Sequence, residues 1–286
     1  QYTIDFSYKI SNVGSNAVSD LLLQSYVPPN TKFQKVKHNL APNISKSKDD
    51  DVNTLIEAKF GDLAQNEEKI FKFSVKVIPQ GNVNNLGVIK AEFGEWEQYK
   101  NLILENSTGE ALIKSSKYWE TKDIGIQELV QALEANSDSA SEYIKLAFEF
   151  VNQKIRYEMN GVRLTSAEAL KSREGDCSEM SDLFVTLLRA KGIPAKIVHG
   201  WTLKDSSGRV SANLTNQGHA WCEFFAPNSN GWTQCDPPWG FLTGVCSQHI
   251  SRQREGIVPD QHAYSISYKG DSRLNIEENI SIKVQK

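Results

Sequence analysis

The chain has 286 residues, enough for one large domain or two of ordinary size. Its 32 Lys and Arg residues nearly balance 35 Asp and Glu residues, so it lacks the basic excess or stripe of a nucleic-acid footprint. No apolar run approaches the roughly 20 residues that span a bilayer, and four cysteines are too few for a disulfide scaffold.

The first residue is Gln1, and no charged stretch leading into an apolar run follows it. This reads as a processed protein or an excised piece of one, with a periplasmic or secreted location as the expectation. Through residue 115 the hydrophobic pattern has period two. The run "TIDFSYKI" puts Ile4, Phe6, Tyr8 and Ile10 on one face, and "IFKFSVKV" does the same with Phe71, Phe73, Val75 and Val77. Turn chemistry separates the runs, in "VGSN", "VPPN" and "IPQGN". Short strands at this spacing predict an antiparallel, immunoglobulin-like β-sandwich over residues 1–115. It holds no catalytic constellation, so packing or recognition is its expected role. The segment "KSKDDD" reads as an exposed loop.

The second domain, residues 116–286, starts with helical periodicity. "SASEYIKLAFEFVNQKI" opens with Ser139 and Glu142 at capping-box spacing, and Tyr143, Ile144, Ala147, Phe148 and Val151 form its apolar stripe. "TSAEALKS" is a shorter helix. Cys177 to Lys191 is a third, with Met180, Leu183, Phe184, Leu187 and Leu188 as its stripe and Gly192 and Pro194 as its stop. Strands return from "PAKIVHGW", and the tail "AYSISYKG…NISIKVQ" is expected to complete their sheet. Helices followed by a sheet make this an α+β domain.

Asp176 can cap the third helix, with Glu179 in the D-x-x-E form of the capping box. Cys177 then sits in the first turn, where unpaired N–H groups and the helix dipole favour an anion. A thiolate is the reactive form of cysteine, although a cysteine at this place can equally be a small buried apolar residue. On the helix, Cys177 shares a face with Phe184 and Leu188 and so points inward.

Further on, "GHAWCEFFAPNSNGWTQCDPPWG" reads as two strands around the polar loop "APNSNG". The register that sets Phe225 opposite Trp232 also sets Cys222 opposite Cys235, and Asp236 opposite Trp221. Asp236 is then one diagonal step from His219 on the same face. A slip of one residue would separate them. A carboxylate there can fix the imidazole tautomer, and a thiol, a base and an orienting group are what nucleophilic catalysis needs. A structural histidine and a turn-forming Asp before Pro237 are the plainer alternatives.

These three stretches, "GDCSEMSDLFVTLLRAKGIPAKIVHGW", "GHAWCEFF" and "GWTQCDPPWG", closely resemble the core motifs of the transglutaminase-like superfamily. The resemblance implies a papain-like α+β core and a Cys-His-Asp triad at Cys177, His219 and Asp236, with a β-rich domain in front as in many bacterial members. It implies acyl transfer through a thioester on a protein or peptide substrate, with hydrolysis as the leading expectation. Protein-glutamine acyl transfer and a non-catalytic scaffold are the alternatives. Crosslinking animal members usually carry Gln-Cys-Trp where this chain has Asp-Cys-Ser.

No cofactor is implied, and no acidic cluster has EF-hand spacing. Cys222, Cys235 and Cys246 lack the close C-x-x-C pairs of structural zinc sites, and Cys222 with Cys235 is expected to pack rather than to form a disulfide. The backbone N–H of Cys177 is the first oxyanion donor, while Trp119 and Gln153 are conceivable but plainer as structural residues. His199 is expected to be structural. Trp201, Trp221, Trp232 and Trp239 are expected to be core anchors, with one or two free to wall a cleft.

Overall fold

The computed structural model describes residues 1–41, 44–49, 51–80, 93–105, 107–159, 161–203, 212–215, 217–229, 231–245, 248–258 and 262–284. Six strands open the chain: β1 (Tyr2–Asn12), β2 (Val18–Val27), β3 (Gln34–Asn39), β4 (Ile44–Lys48), β5 (Thr54–Leu63) and β6 (Glu68–Pro79). The alternating residues of β1 and β6 named above are all buried. Phe6 lies opposite Phe73 in the antiparallel β1–β6 pair, and their rings stack at 4.7 Å, a cross-strand aromatic contact of the kind that stabilises sheets.

Helices follow: α1 (Trp96–Glu105), α2 (Ser107–Ala111), α3 (Ile124–Ala135) and α4 (Ala140–Lys154). The two-residue strand β7 (Arg156–Tyr157) precedes α5 (Ser166–Ser172), and its parallel partner β8 (Glu174–Gly175) precedes α6 (Cys177–Ala190). Ser139, Thr165 and Asp176 cap α4, α5 and α6, with complete capping boxes at the last two. α6 runs through the middle of the domain, and every residue from Glu179 to Arg189 is buried. The sheet beneath it is antiparallel in the order β11-β10-β9-β12, formed by β9 (Ala195–Thr202), β10 (Gly218–Ala226), β11 (Gly231–Cys235) and β12 (His249–Glu255).

Two boundaries differ from the sequence reading. α1 and α2 lie within residues assigned there to the sandwich. Tyr99 is buried in the core of the helical domain, and Trp96 packs edge-on to Tyr143 of α4. Their helical spacing, not a period of two, is what makes this contact. The tail is the larger correction. β13 (Tyr264–Lys269) and β14 (Leu274–Val284) do not complete the second domain's sheet. β14 pairs with β1 from Tyr2↔Val284 to Asn12↔Leu274, and β13 pairs with β2. The sandwich is therefore two sheets, β14-β1-β6-β3 and β13-β2-β5-β4, built from both ends of the chain, with the helical domain inserted between β6 and β13. A period of two identifies a strand and its buried face, but not its partner.

The two parts share one wall. β12 is an edge strand, yet all seven of its residues are buried, because the sandwich covers that edge. Gln34 donates from Nε2 to the Ser251 carbonyl and accepts at Oε1 from the Ser251 amide, both at 2.9 Å. Asn53 makes the same pair of bonds to Arg254, at 2.7 and 2.6 Å. Asp51 accepts from the amides of Gly256 and Ile257; it is buried, although "KSKDDD" reads as an exposed loop. Side-chain groups thus stand in for a neighbouring strand and satisfy backbone groups that would otherwise be buried unpaired. Between the two amide clamps the register shifts, leaving Arg252 as a β-bulge residue. Its guanidinium enters the sandwich and donates to Tyr26 O (2.9 Å), Tyr8 Oη (3.1 Å) and the Glu278 carboxylate (2.7 Å).

Candidate active site

Cys177 opens α6. Asp176 Oδ1 accepts from the Ser178 amide at 2.7 Å, and Glu179 Oε2 accepts from the Asp176 amide at 2.7 Å. The other oxygen of Glu179 accepts from Leu164 N at 3.0 Å and ties the preceding loop to the same helix end. Cys177 is half-buried against the main core. Burial, together with the Asp176 carboxylate, raises the Glu179 pKa to about 7, so the cap itself titrates in the neutral range.

His219 is the second residue of β10, opposite Gly200 on β9. The hairpin register expected from sequence is present, with Phe225 opposite Trp232 and Cys222 opposite Cys235. Asp236 follows β11 directly and closes a tight turn, its amide donating to Phe241 O at 2.7 Å and its carbonyl accepting from Phe241 N at 2.9 Å. Gly240, at φ +75°, lets the chain reverse there. Asp236 therefore shapes the turn, and its Oδ2 lies 2.8 Å from His219 Nε2.

With Nε2 turned to the carboxylate, the imidazole also contacts the thiol of Cys177. Burial pushes the His219 pKa down. The bond to Asp236 and the contact with Cys177 outweigh it, and the net value is about 10. Burial pushes Asp236 up, but hydrogen bonds from two imidazoles hold it below the ordinary carboxylate value. The arrangement favours an ion pair in which His219 carries the proton.

Two residues near this centre were not singled out in the sequence. Tyr157, paired with Gly175 across β7 and β8, puts its hydroxyl against the thiol and backbone N–H of Cys177; burial and the neighbouring Cys177 and Asp176 raise its pKa to about 12. The short run "KIRY" just before the α5 cap carries no periodicity that could have marked it. His249, the first residue of β12, places Nε2 2.8 Å from the same Asp236 oxygen that His219 contacts.

The other candidates fall where packing puts them. Trp119 Nε1 donates to Asp182 at 2.8 Å inside the core, so it does not face the thiol. Gln153 is exposed on α4. His199 Nε2 pairs with Glu255 at 2.8 Å. Cys222 and Cys235 are buried free thiols, with Cys222 donating to Ser181 O at 3.4 Å; Cys246 lies outside the described residues. Trp201 belongs to the sandwich core, and Trp232 lies under the Lys196 ammonium at 4.1 Å. Trp221 and Trp239 flank the His219 ring at 5.9 and 5.5 Å, and Trp239 is 37% exposed, so it walls the site toward solvent.

Among the described residues, His219, Asp236 and His249 offer metal-ligand atoms within 4.8 Å of one another. Both ring nitrogens, however, meet one carboxylate oxygen at 2.8 Å. An ionised carboxylate only accepts, so in these two bonds each Nε2 donates to Asp236.

Comparison with known proteins gives the same stretch of chain. A family profile of the transglutaminase-like superfamily matches residues 127–237. The uncharacterized protein YebA of Bacillus subtilis is 28% identical over 101 residues, covering 33% of this chain and 14% of YebA. The protein-glutamine gamma-glutamyltransferase of Pseudomonas aeruginosa is 28% identical over 109 residues, 36% of this chain and 16% of that protein. The chain thus spans a small fraction of both relatives. Among solved structures, a candidate cysteine protease from Cytophaga hutchinsonii superposes with a TM-score of 0.56 at 12% identity, covering 99% of this chain and 100% of that one; the two share a fold along their whole length. The likeness to the transglutaminase-like superfamily thus lies in residues 127–237, the stretch that holds Cys177, His219 and Asp236.

Proposed function

We propose that this protein is a thiol enzyme that acts on amide bonds of a protein or peptide substrate, with Cys177, His219 and Asp236 as its triad and hydrolysis as its outcome. One observation carries the reading: the His219 imidazole is held by Asp236 at 2.8 Å on one nitrogen and meets the Cys177 thiol with the rest of the ring. The thiolate Sγ attacks the amide carbonyl carbon, and the carbonyl electron pair moves to oxygen. The backbone N–H at the start of α6 is placed to receive that oxyanion. The His219 imidazolium gives its proton to the leaving nitrogen as the C–N bond breaks, leaving a thioester on Cys177. Water, deprotonated by the now neutral His219, attacks the thioester carbon; the C–S bond breaks, releasing the acid and restoring the thiolate and the imidazolium.

A second reading is acyl transfer from protein glutamine to an amine, in which an amine takes the place of water. Its support is the similarity to the Pseudomonas aeruginosa gamma-glutamyltransferase over 109 residues. The test is digestion of a peptide library with and without a biotinylated primary amine, using wild type and Cys177→Ala. Cys177-dependent cleavage products support hydrolysis, and Cys177-dependent amine incorporation supports transfer. Neither product, together with a thiol that reacts like free cysteine, leaves a binding scaffold. No helix among the described residues is long and apolar enough to cross a membrane. A location outside the cytoplasm belongs to the same proposal and is checked by cell fractionation.

A further inference from the structure

Asp236 serves two imidazoles, and the second has no part in the triad. His249 Nε2 lies 2.8 Å from Asp236 Oδ2, the same oxygen that binds His219, while Oδ1 accepts the Trp239 amide at 3.2 Å. His249 is fully buried, in an aromatic box of Trp221, Trp239 and Phe241 at 5.1, 5.4 and 6.4 Å. The two imidazoles lie edge to face, 5.6 Å apart, and the Asp236 carboxylate links them through its hydrogen bonds to both.

We propose that His249 is a positioning residue: it anchors the Asp236 carboxylate from the side away from Cys177 and so fixes the orientation in which Asp236 holds His219. The proposal rests on the triad reading above. Two features support a built role rather than filling. A buried carboxylate with one fewer donor is free to turn about its last bond and is less stable as an anion. His249 is also clamped from the other side, because it begins β12, whose next residues are held by Gln34 of the sandwich at Ser251. The sandwich therefore sets where the anchor stands, and through it where the carboxylate points. Outer partners that orient metal ligands carry about tenfold to hundredfold effects, and an anchor that orients a carboxylate acts by the same geometry. The titratable groups in line with His249 are Asp236, His219 and, beyond His219, Cys177.

The test is the rate of iodoacetamide alkylation of Cys177 against pH in the full chain, resolved by peptide mass spectrometry. The proteins are wild type, His219→Ala, His249→Phe and His249→Gln. Phenylalanine keeps the aromatic packing and removes the donor, while glutamine brings an N–H near the Nε2 position. The expected result is that wild-type labelling on the acid side of neutrality depends on His219. His249→Phe then loses about tenfold of that rate and shifts the profile toward that of His219→Ala, and His249→Gln recovers most of it. A folded His249→Phe with the wild-type profile overturns the positioning role and leaves the triad standing. A wild-type profile equal to that of His219→Ala overturns the triad and the inference with it. Should His249→Phe not fold, His249→Asn, polar but too short to reach Asp236, takes its place with the same two outcomes.

Discussion

Gln34 on β3 completes the hydrogen bonding of Ser251 on β12, giving and receiving one bond with the same backbone residue at 2.9 Å each. A side-chain amide has the donor and acceptor of a peptide group at nearly the same spacing, so it can cap one position of an open strand. The edge that would otherwise attract another chain is closed in this way. The clamp also ties the two parts of the molecule together. Gln34→Ala leaves a buried amide and a buried carbonyl unpaired, and is expected to cost about 2–4 kcal/mol in urea unfolding of the whole chain. A cost below about 0.5 kcal/mol would mean that water replaces the clamp without loss.

Gly200 stands between His219 on one neighbour and Ser251 on the other. A Cβ there would come within 2.1 Å of the Ile250 carbonyl and 2.9 Å of the Trp221 ring. The carbonyl belongs to the backbone and cannot swing aside. Gly200→Ala is therefore expected to push β12 off β9 and destabilise the protein by about 1–3 kcal/mol or more. Thiol reactivity at Cys177 should fall as well, since His249 moves with β12. Thermal unfolding and the alkylation rate check both parts, and a neutral substitution would mean that β12 is looser than its packing implies.

The His219 pKa is raised from 6.5 to about 10 against the effect of burial. A raised basic group stabilises the fold fully below its unfolded value, and the contribution disappears as pH climbs through the folded value. In wild type this share of stability is present below about pH 6.5 and is lost on the way to pH 10. Asp236→Asn removes the main partner, so the decline over that window should flatten. Ring ¹⁵N shifts of His219 report the proton directly. An imidazole that loses it near pH 6.5 in wild type would contradict the ion pair.

Glu179 slopes the same way for the opposite reason. Its pKa rises from 4.5 to about 7, by burial and the Asp176 charge. The folded state thus holds a proton that the unfolded state has given up, and stability falls as pH rises from 4.5 to 7. Glu179→Gln should remove that fall. Glu179→Ala should cost about 2–3 kcal/mol at any pH, because the amides of Asp176 and Leu164 lose their acceptor. Unfolding free energies of the two variants across pH 4.5–7 separate the charge from the cap.

The local parts of this site were legible in the sequence. Asp176 and Glu179 announced the α6 cap, and the hairpin register followed from one aromatic pair, because a short loop ties the two strands together. What stayed hidden was nonlocal. His249 reaches Asp236 only because β12 pairs with β9, and no turn links those strands to set a register. The run "HISRQRE" also disguises itself, since a strand of polar residues reads as exposed until Gln34, Asn53, Glu223 and Glu278 are seen to meet its groups. The tail failed for the same reason: its alternation was correct, but its partners lie at the opposite end of the chain.

That closure of the sandwich by both termini has a consequence for biosynthesis. β1 and β2 leave the ribosome before the insert, while β14 and β13, which pair with them, follow it, a delay on the order of tens of seconds at bacterial elongation rates. During that time the insert, whose helices and sheet are contiguous in sequence, is free to fold first. The sandwich waits with two unpaired margins, and protease pulses during translation should cut residues 1–80 long after residues 120–250 have become resistant. On that order, the helices and sheet that hold Cys177, His219 and Asp236 form before the sandwich strands that brace β12 are all made.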